Sequence, residues 1–173
     1  MDRPDSQGVA DASRLRGSYA VTLVQRIVSG GQTGVDRAAL DVAIRLGIQH
    51  GGWCPLGRLA EDGPIPERYQ LTEMASPSYA DRTLQNVLDS DGTLILYDDR
   101  VRGGTALTRR LAIQWNKPWI AVRLRERADH ETVVQWIADN QIHLLNVAGP
   151  RASTSPKIGQ RAERFLVKVL TAG

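Results

Sequence analysis

Short apolar runs and helical apolar stripes alternate along most of this chain. Tyr19 to Val28 carries enough β-branched residues for a first strand. A helix is predicted over about Gly34–Leu46, with Ala39, Leu40, Ala43, Ile44 and Leu46 as its buried stripe and Gly47 where a left-handed cap belongs. A second strand falls near Ile48–Cys54. Ser78–Asp89 reads as a helix with Ala80, Leu84, Val87 and Leu88 inward, which leaves Asp81, Arg82, Gln85 and Asp89 on its other faces. Thr93–Tyr97 is the kind of run a parallel sheet buries on both sides. A helix through Trp115, a strand Trp119–Leu124, a helix Asp129–Asp139 capped by Asp129, and a strand Ile142–Val147 follow. The last helix carries the stripe Ile158, Ala162, Phe165, Leu166 and Val169, with Ser155 as its N-cap and Pro156 at its first position.

Strands that alternate with helices imply an α/β chain: a mainly parallel sheet of about five strands, helices on both faces, and right-handed crossovers. If the chain winds outward from the first strand and then reverses, strands 19–28 and 93–97 become neighbours. The ligand crevice then opens at their carboxyl ends. Residues 55–77 hold Pro55, Pro64 and Pro66 among glycines and mixed charges, and are expected to fold over those strand ends as a binding loop. The polar segment 1–20 is expected to be a flexible arm, and residues 21–173 one domain. That arm has no apolar core of a secretory signal, and no run approaches membrane-spanning length, so a cytoplasmic location is expected.

Two glycine turns carry the candidate chemistry. Ser29-Gly30-Gly31-Gln32-Thr33-Gly34 breaks the first strand into the first helix, and Arg102-Gly103-Gly104-Thr105 opens the helix after Tyr97. Glycines at a helix mouth let a ligand approach bare backbone N–H groups, and the helix dipole favours an anion there. The first turn lacks the lysine-serine ending of a Walker A loop, and Ser29 stands where a dinucleotide fingerprint needs its first glycine. The candidate binding residues are therefore Gly30, Gly31, Thr33, Gly34, Gly103, Gly104, Thr105 and Thr108. Arg82 joins them as a cation, with Arg37, Arg58, Arg102 and Arg151 near the same rim, and Asp98 and Asp99 as acceptors for a heterocycle. Substituting Gly31→Val or Gly104→Val is expected to abolish anion binding and leave the fold.

Charge adds little selectivity. The net charge is +3, and the 22 basic residues are mostly arginine, whose fork suits phosphates and carboxylates. They are scattered, without a nucleic-acid-binding motif, so nucleic acid is not selected as a partner. The one cysteine, Cys54, cannot form an internal disulfide, and His50, His130 and His143 lack metal-ligand spacing. No nucleophile and base can be paired, and catalysis is not supported.

Several spaced motifs agree in order with one family. They are the first glycine turn with Val35-Asp36, Trp53-Cys54-Pro55 with Gly57-Arg58 and Glu61-Asp62-Gly63, Arg82-Thr83 with Asn86-Val87, Ser90-Asp91-Gly92-Thr93, and Asn146-Val147-Ala148-Gly149-Pro150-Arg151. From about residue 24 onward the chain resembles the molybdenum cofactor carrier protein family, within the wider Rossmann-like LOG/DprA-type superfamily. The resemblance implies a Rossmann-like three-layer subunit. It would assemble as a homo-oligomer, dimer or tetramer, that stores or delivers molybdenum cofactor (molybdopterin) without turnover, with molybdenum enzymes as possible partners. The cofactor carries its metal on its own dithiolene sulfurs, so no protein-ligated metal is expected.

The related LOG-type nucleoside-monophosphate phosphoribohydrolases carry P-G-G-x-G-T-x-x-E, and here Thr108 or Arg110 falls where the glutamate would stand. A phosphoribohydrolase-like enzyme and a regulatory module that senses a nucleotide or ADP-ribose remain the alternatives.

Overall fold

The computed structural model describes residues 23–124 and 127–172. The expected arm, and the start of the predicted first strand, lie outside the described residues. In chain order the elements are β1 (Arg26–Val28), α1 (Val35–Leu46), β2 (Gln49–Gly51), β3 (Trp53–Cys54), β4 (Leu59–Ala60), β5 (Gly63–Pro64) and β6 (Thr72–Glu73). Then come α2 (Tyr79–Leu88), β7 (Gly92–Tyr97), α3 (Gly103–Gln114), β8 (Trp119–Arg123), α4 (His130–Asp139), β9 (Leu144–Ala148) and α5 (Ile158–Thr171).

Five strands form one parallel sheet in the order β2-β1-β9-β7-β8. Helices α1 and α4 pack with α5, and α2 packs with α3, giving a Rossmann-like three-layer sandwich. The main core lies under α1, α4 and α5, where Ile27, Leu94, Leu96, Leu145 and Val147 meet Val42, Val133, Ile158 and Leu166. Among the described residues no helix is long and apolar enough to cross a membrane.

The order corrects one expectation. The strand after Tyr19 and the strand 93–97 are not neighbours, because the last strand, β9, lies between β1 and β7. Its residues explain the placement. Leu145, Asn146 and Val147 are all buried, whereas β2 and β8 show exposed or half-buried residues along their lengths. A strand buried on both faces belongs inside the sheet, and half-exposed strands belong at its edges. Polar side chains fix the junctions on both sides. Ser29 Oγ donates to the carbonyl of Val147 (3.0 Å), and Asn146 Nδ2 donates to Thr93 Oγ1 (3.2 Å).

Other differences are local. Ile44 stays 44% exposed, and Ala80 is exposed too, while α2 turns Asn86 inward instead. The Asn86 amide accepts from Trp53 N (2.7 Å) and donates to Trp53 O (3.0 Å), so it satisfies that backbone as a neighbouring strand would. Ser155 does not cap α5: its hydroxyl donates to Asp98 and the helix begins at Ile158. Gly47 and Asp129 cap their helices as predicted.

The 55–77 stretch is more ordered than a plain loop. It contains a β4–β5 hairpin, and β6 pairs in parallel with β3. Cys54, Ile65 and Tyr69 form a second small core with Leu40 of α1. Arg58 binds it together by donating to the carbonyls of Ile65, Pro66 and Tyr69, each at 2.9 Å. That use of the guanidinium removes Arg58 from the ligand rim.

Candidate functional site

A cavity of about 450 Å³ opens at the carboxyl ends of β1, β9 and β7. This is within the usual range for small-molecule sites. Its wall includes Gly30, Gln32 and Asp36 from the first turn and α1, Tyr79, Arg82, Thr83 and Asn86 from α2, and Asp98 after β7. Arg100, Arg102, Gly103, Gly104, Thr105 and Thr108 close it from the second turn and α3, and Asn146 to Arg151, Ser153 and Thr154 from β9 onward. The two glycine turns meet at one cavity although β9 separates their strands.

Of the residues singled out from sequence, Gly30, Arg82, Asp98, Gly103, Gly104, Thr105 and Thr108 line this cavity, and Gly31, Thr33 and Gly34 do not. At Gly31 (φ 76°) a Cβ would lie 2.5 Å from Leu71 Cδ1 and 2.9 Å from Ile65 Cδ1. Gly34 (φ 82°) passes so close to the loop after β9 that a Cβ would sit 2.4 Å from Pro150 O. Thr33 donates its hydroxyl to Glu61 and accepts from Ala152 N (3.1 Å). These residues join the turn to the hairpin and to the loop after β9.

Several N–H groups around the first turn are also taken. Gln32 N donates to Asp36 Oδ2 (3.2 Å), Thr33 N to Gln32 Oε1 (3.0 Å) and Val35 N to Pro150 O (3.2 Å). The mouth of α1 therefore already holds an anion of its own, the Asp36 carboxylate. Arg82 Nη1 donates to the same Oδ2 at 3.0 Å, and both side chains are nearly buried. Burial pushes the Asp36 pKa up, and the charge and hydrogen bond of Arg82 oppose that rise. Gly30 makes the pairing possible, since a Cβ there would overlap Arg82 Nη1 at 1.3 Å. Arg37 serves the same wall, donating to Gly31 O (2.9 Å) and, through both terminal nitrogens, to Asp62 (2.8 Å each). It too is spent on structure.

The second turn is different. Arg102 stands at the N-cap of α3 without a capping side-chain bond, and the first turn of the helix holds no acid. A Cβ at Gly103 or Gly104 would meet nothing within 4 Å. Unsatisfied N–H groups and the helix dipole therefore face open space, the arrangement that binds oxyanions. Among the described residues neither Arg102 nor Arg151 makes an ion pair, while Arg100 lies 3.4 Å from Asp99. Thr105 and Thr108 are buried beneath the turn, and the Thr108 hydroxyl donates to Gly104 O (3.0 Å).

Two buried donors on the wall lack an acceptor among the described residues: Gln32 Nε2 and Arg82 Nε. Neither atom has appreciable accessible surface, and a buried donor left unpaired costs about 1–3 kcal/mol. Asp98 is already engaged, accepting from Ser155 and from Asp99 N (2.7 Å). The Ser155 hydroxyl is the main reason its pKa falls below the ordinary carboxylate value. Among the described residues no group of three His, Cys, Asp or Glu side chains could hold a metal ion.

Sequence reasoning missed Gln32, Asp36 and Asn146. Gln32 and Asp36 were visible as polar residues beside the glycines, and Asn146 as the polar break in an apolar strand. Their roles depend on which strand stands next to which.

Residues 27–170 match the model of the circularly permutated YpsA SLOG family, cpYpsA. Among solved structures, the crystal structure of the "Putative molybdenum carrier protein" from Syntrophus aciditrophicus SB, at 1.45 Å resolution, is 47% identical. The match covers 86% of this chain and 96% of that one, with a TM-score of 0.82. No curated protein matches.

Proposed function

We propose, for a chain that belongs to the circularly permutated YpsA SLOG family, that the cavity holds molybdenum cofactor, or a similar phosphate-bearing anion, for storage or delivery without turnover. The observation that carries this reading is the open mouth of α3, with Gly103 and Gly104 unobstructed, no acid in the first turn, and Arg102 and Arg151 beside it. A phosphate there gains backbone N–H bonds and guanidinium charge together. The name of the 47% identical structure gives independent support for a molybdenum-related ligand.

The residues present suit such a group. Gly103, Gly104, Thr105, Arg102 and Arg151 would hold its phosphate, and Gln32, Tyr79 and Arg82 on the same wall would lie beside its ring system. When bound, the cofactor supplies redox and oxygen-transfer chemistry at molybdenum for an enzyme that receives it. This chain's own part is to bind, orient and shield. Assembly with like subunits belongs to the same proposal: Ile113 (58% exposed), Trp115 (49%) and Trp119 (36%) lie at the end of α3 and on edge strand β8, and such apolar exposure suits a subunit contact. A cytoplasmic location is proposed with it.

The test is native mass spectrometry with metal analysis on protein purified anaerobically from a host that makes the cofactor. The reading expects molybdenum and the cofactor mass to travel with the folded protein. A retained nucleotide mass with no molybdenum would replace it with a nucleotide-sensing role.

A further inference from the structure

We infer that the solvent face of α5 docks an acidic segment of another protein, whose carboxylates meet Arg161, Arg164 and Lys168 and whose apolar side chain enters the cavity beside them. This surface is separate from the mouth of α3 and does not depend on what the first cavity holds. The second cavity, of about 400 Å³, has Arg161, Arg164 and Lys168 on its wall. Leu124, Ala128 and Phe165 give it an apolar lining. Leu124 and Phe165 are only 3% and 5% exposed, so they form a recessed floor and not a projecting patch. Asp98 lines both cavities, so the docked segment would sit beside the first.

The charge on this face is one-sided. From Lys157 onward the exposed positions are Lys157, Gln160, Arg161, Arg164, Lys168 and Thr171, four cations and no acid. The helix's acid, Glu163, is turned toward Arg45 of α1 at 3.8 Å. Spacings of four, three and four residues set the cations in one row about 16 Å long. Like charges so spaced oppose one another, and Lys157 and Arg161 stand at the end of α5 where the helix dipole disfavours cations. Among the described residues none of the four makes an ion pair. Asp98, whose pKa is lowered first by the Ser155 hydroxyl and more weakly by the charge of Arg161, sets one carboxylate against three cations on the cavity wall. An anionic partner relieves the remaining imbalance.

Shape selects among anions. Lys157 carries the row beyond the cavity, so the charge extends further than one small ligand would use. Single-stranded nucleic acid stacks its bases on exposed aromatic faces, and the aromatic ring of this wall, Phe165, is buried. A membrane-surface helix lays its apolar face into lipid, and that of α5 is already packed in the core. An acidic protein segment supplies carboxylates for the row and one aliphatic side chain for the recessed floor.

Fluorescence anisotropy tests this with two labelled peptides of equal charge, one with glutamates flanking a central leucine and one with serine in place of that leucine. At about 50 mM salt the wild type should bind the leucine peptide about tenfold more tightly than the serine peptide. The exposed double substitution Arg164→Glu with Lys168→Glu should weaken both peptides by about tenfold or more. Ala128→Trp fills the cavity, and should bring the two peptides to within about twofold of each other while the serine peptide keeps its wild-type affinity. Thermal unfolding confirms that each variant is folded. No binding of either peptide, equal affinities in the wild type, or binding untouched by the charge reversal would overturn the proposal. So would a leucine preference that survives Ala128→Trp. Tighter binding of an oligothymidylate of the same charge, or of phosphatidylserine vesicles, lost in the double variant, would overturn it in favour of a nucleic acid or a membrane.

Discussion

At the first glycine turn each missing side chain makes room for a neighbour: Gly30 for Arg82, Gly31 for Leu71 and Ile65, Gly34 for the backbone of Pro150. At the second turn the space beside Gly103 and Gly104 is empty. The mouth of α1 carries Asp36 in its first turn, and the mouth of α3 carries no acid. Glycine density alone therefore does not mark an anion site. The same letters serve close packing in one place and open approach in the other, and what separates them is whether the helix already has its own carboxylate.

The largest effect is expected at Arg82. Replacing it by leucine leaves the Asp36 carboxylate buried without its cation, and breaking such a pair costs about 3–5 kcal/mol. Urea denaturation should show the midpoint falling by that equivalent. A change under about 1 kcal/mol would mean that the pair is not the structural centre of the first turn. Gly34→Ala comes next, because its Cβ meets a carbonyl at 2.4 Å in a backbone conformation at φ 82° that few side chains adopt. Thermal unfolding should report a loss of about 2–3 kcal/mol. By the same reasoning Gly31→Val, which on sequence grounds should spare the fold, will disturb the packing of Ile65 and Leu71.

Gly104→Asp has a smaller effect on stability and a sharper meaning. It gives α3 the acid that α1 already has, so the helix should gain about 0.3–1 kcal/mol while phosphate affinity drops by about tenfold or more. Opposite signs for stability and binding are the signature. Loss of both would point to simple misfolding.

The smallest effect concerns the latch between the hairpin and the loop after β9. Glu61 accepts from Ser153 and from the Thr33 hydroxyl, and those bonds hold its pKa below the ordinary value. A lowered carboxylate pKa contributes stability that is present above the unfolded value near 4.3 and is lost as pH falls through the lower folded value. Amide exchange at Ser153 should therefore stay slow at neutral pH and rise, relative to the intrinsic rate, only below about pH 4.3. Glu61→Gln should remove that acid dependence. An unchanged acid profile in this variant would show that the latch contributes nothing.

Much of the architecture was readable because the alternation of periods reports which faces are buried. The stripe Ile158, Ala162, Phe165, Leu166 and Val169 and the cap at Gly47 follow directly from local rules. Strand order did not follow, since it depends on β9 inserting between β1 and β7 late in the chain, and no local signal encodes that. Gly103, Gly104, Thr105 and Thr108 were legible because a helix mouth is a local object. The Asp36–Arg82 pair spans 46 positions, and the engagement of Glu61 with Ser153 spans 92, so both emerge only in three dimensions.

We expect an oxyanion at the mouth of α3 and not at that of α1. A crystal soaked in tungstate, read by anomalous scattering, tests it most directly. The anomalous peak should lie within hydrogen-bonding reach of the backbone N–H groups of Gly103, Gly104 and Thr105, with Arg102 or Arg151 against it. A peak at the first glycine turn, with Asp36 displaced from Gln32 N, would contradict it.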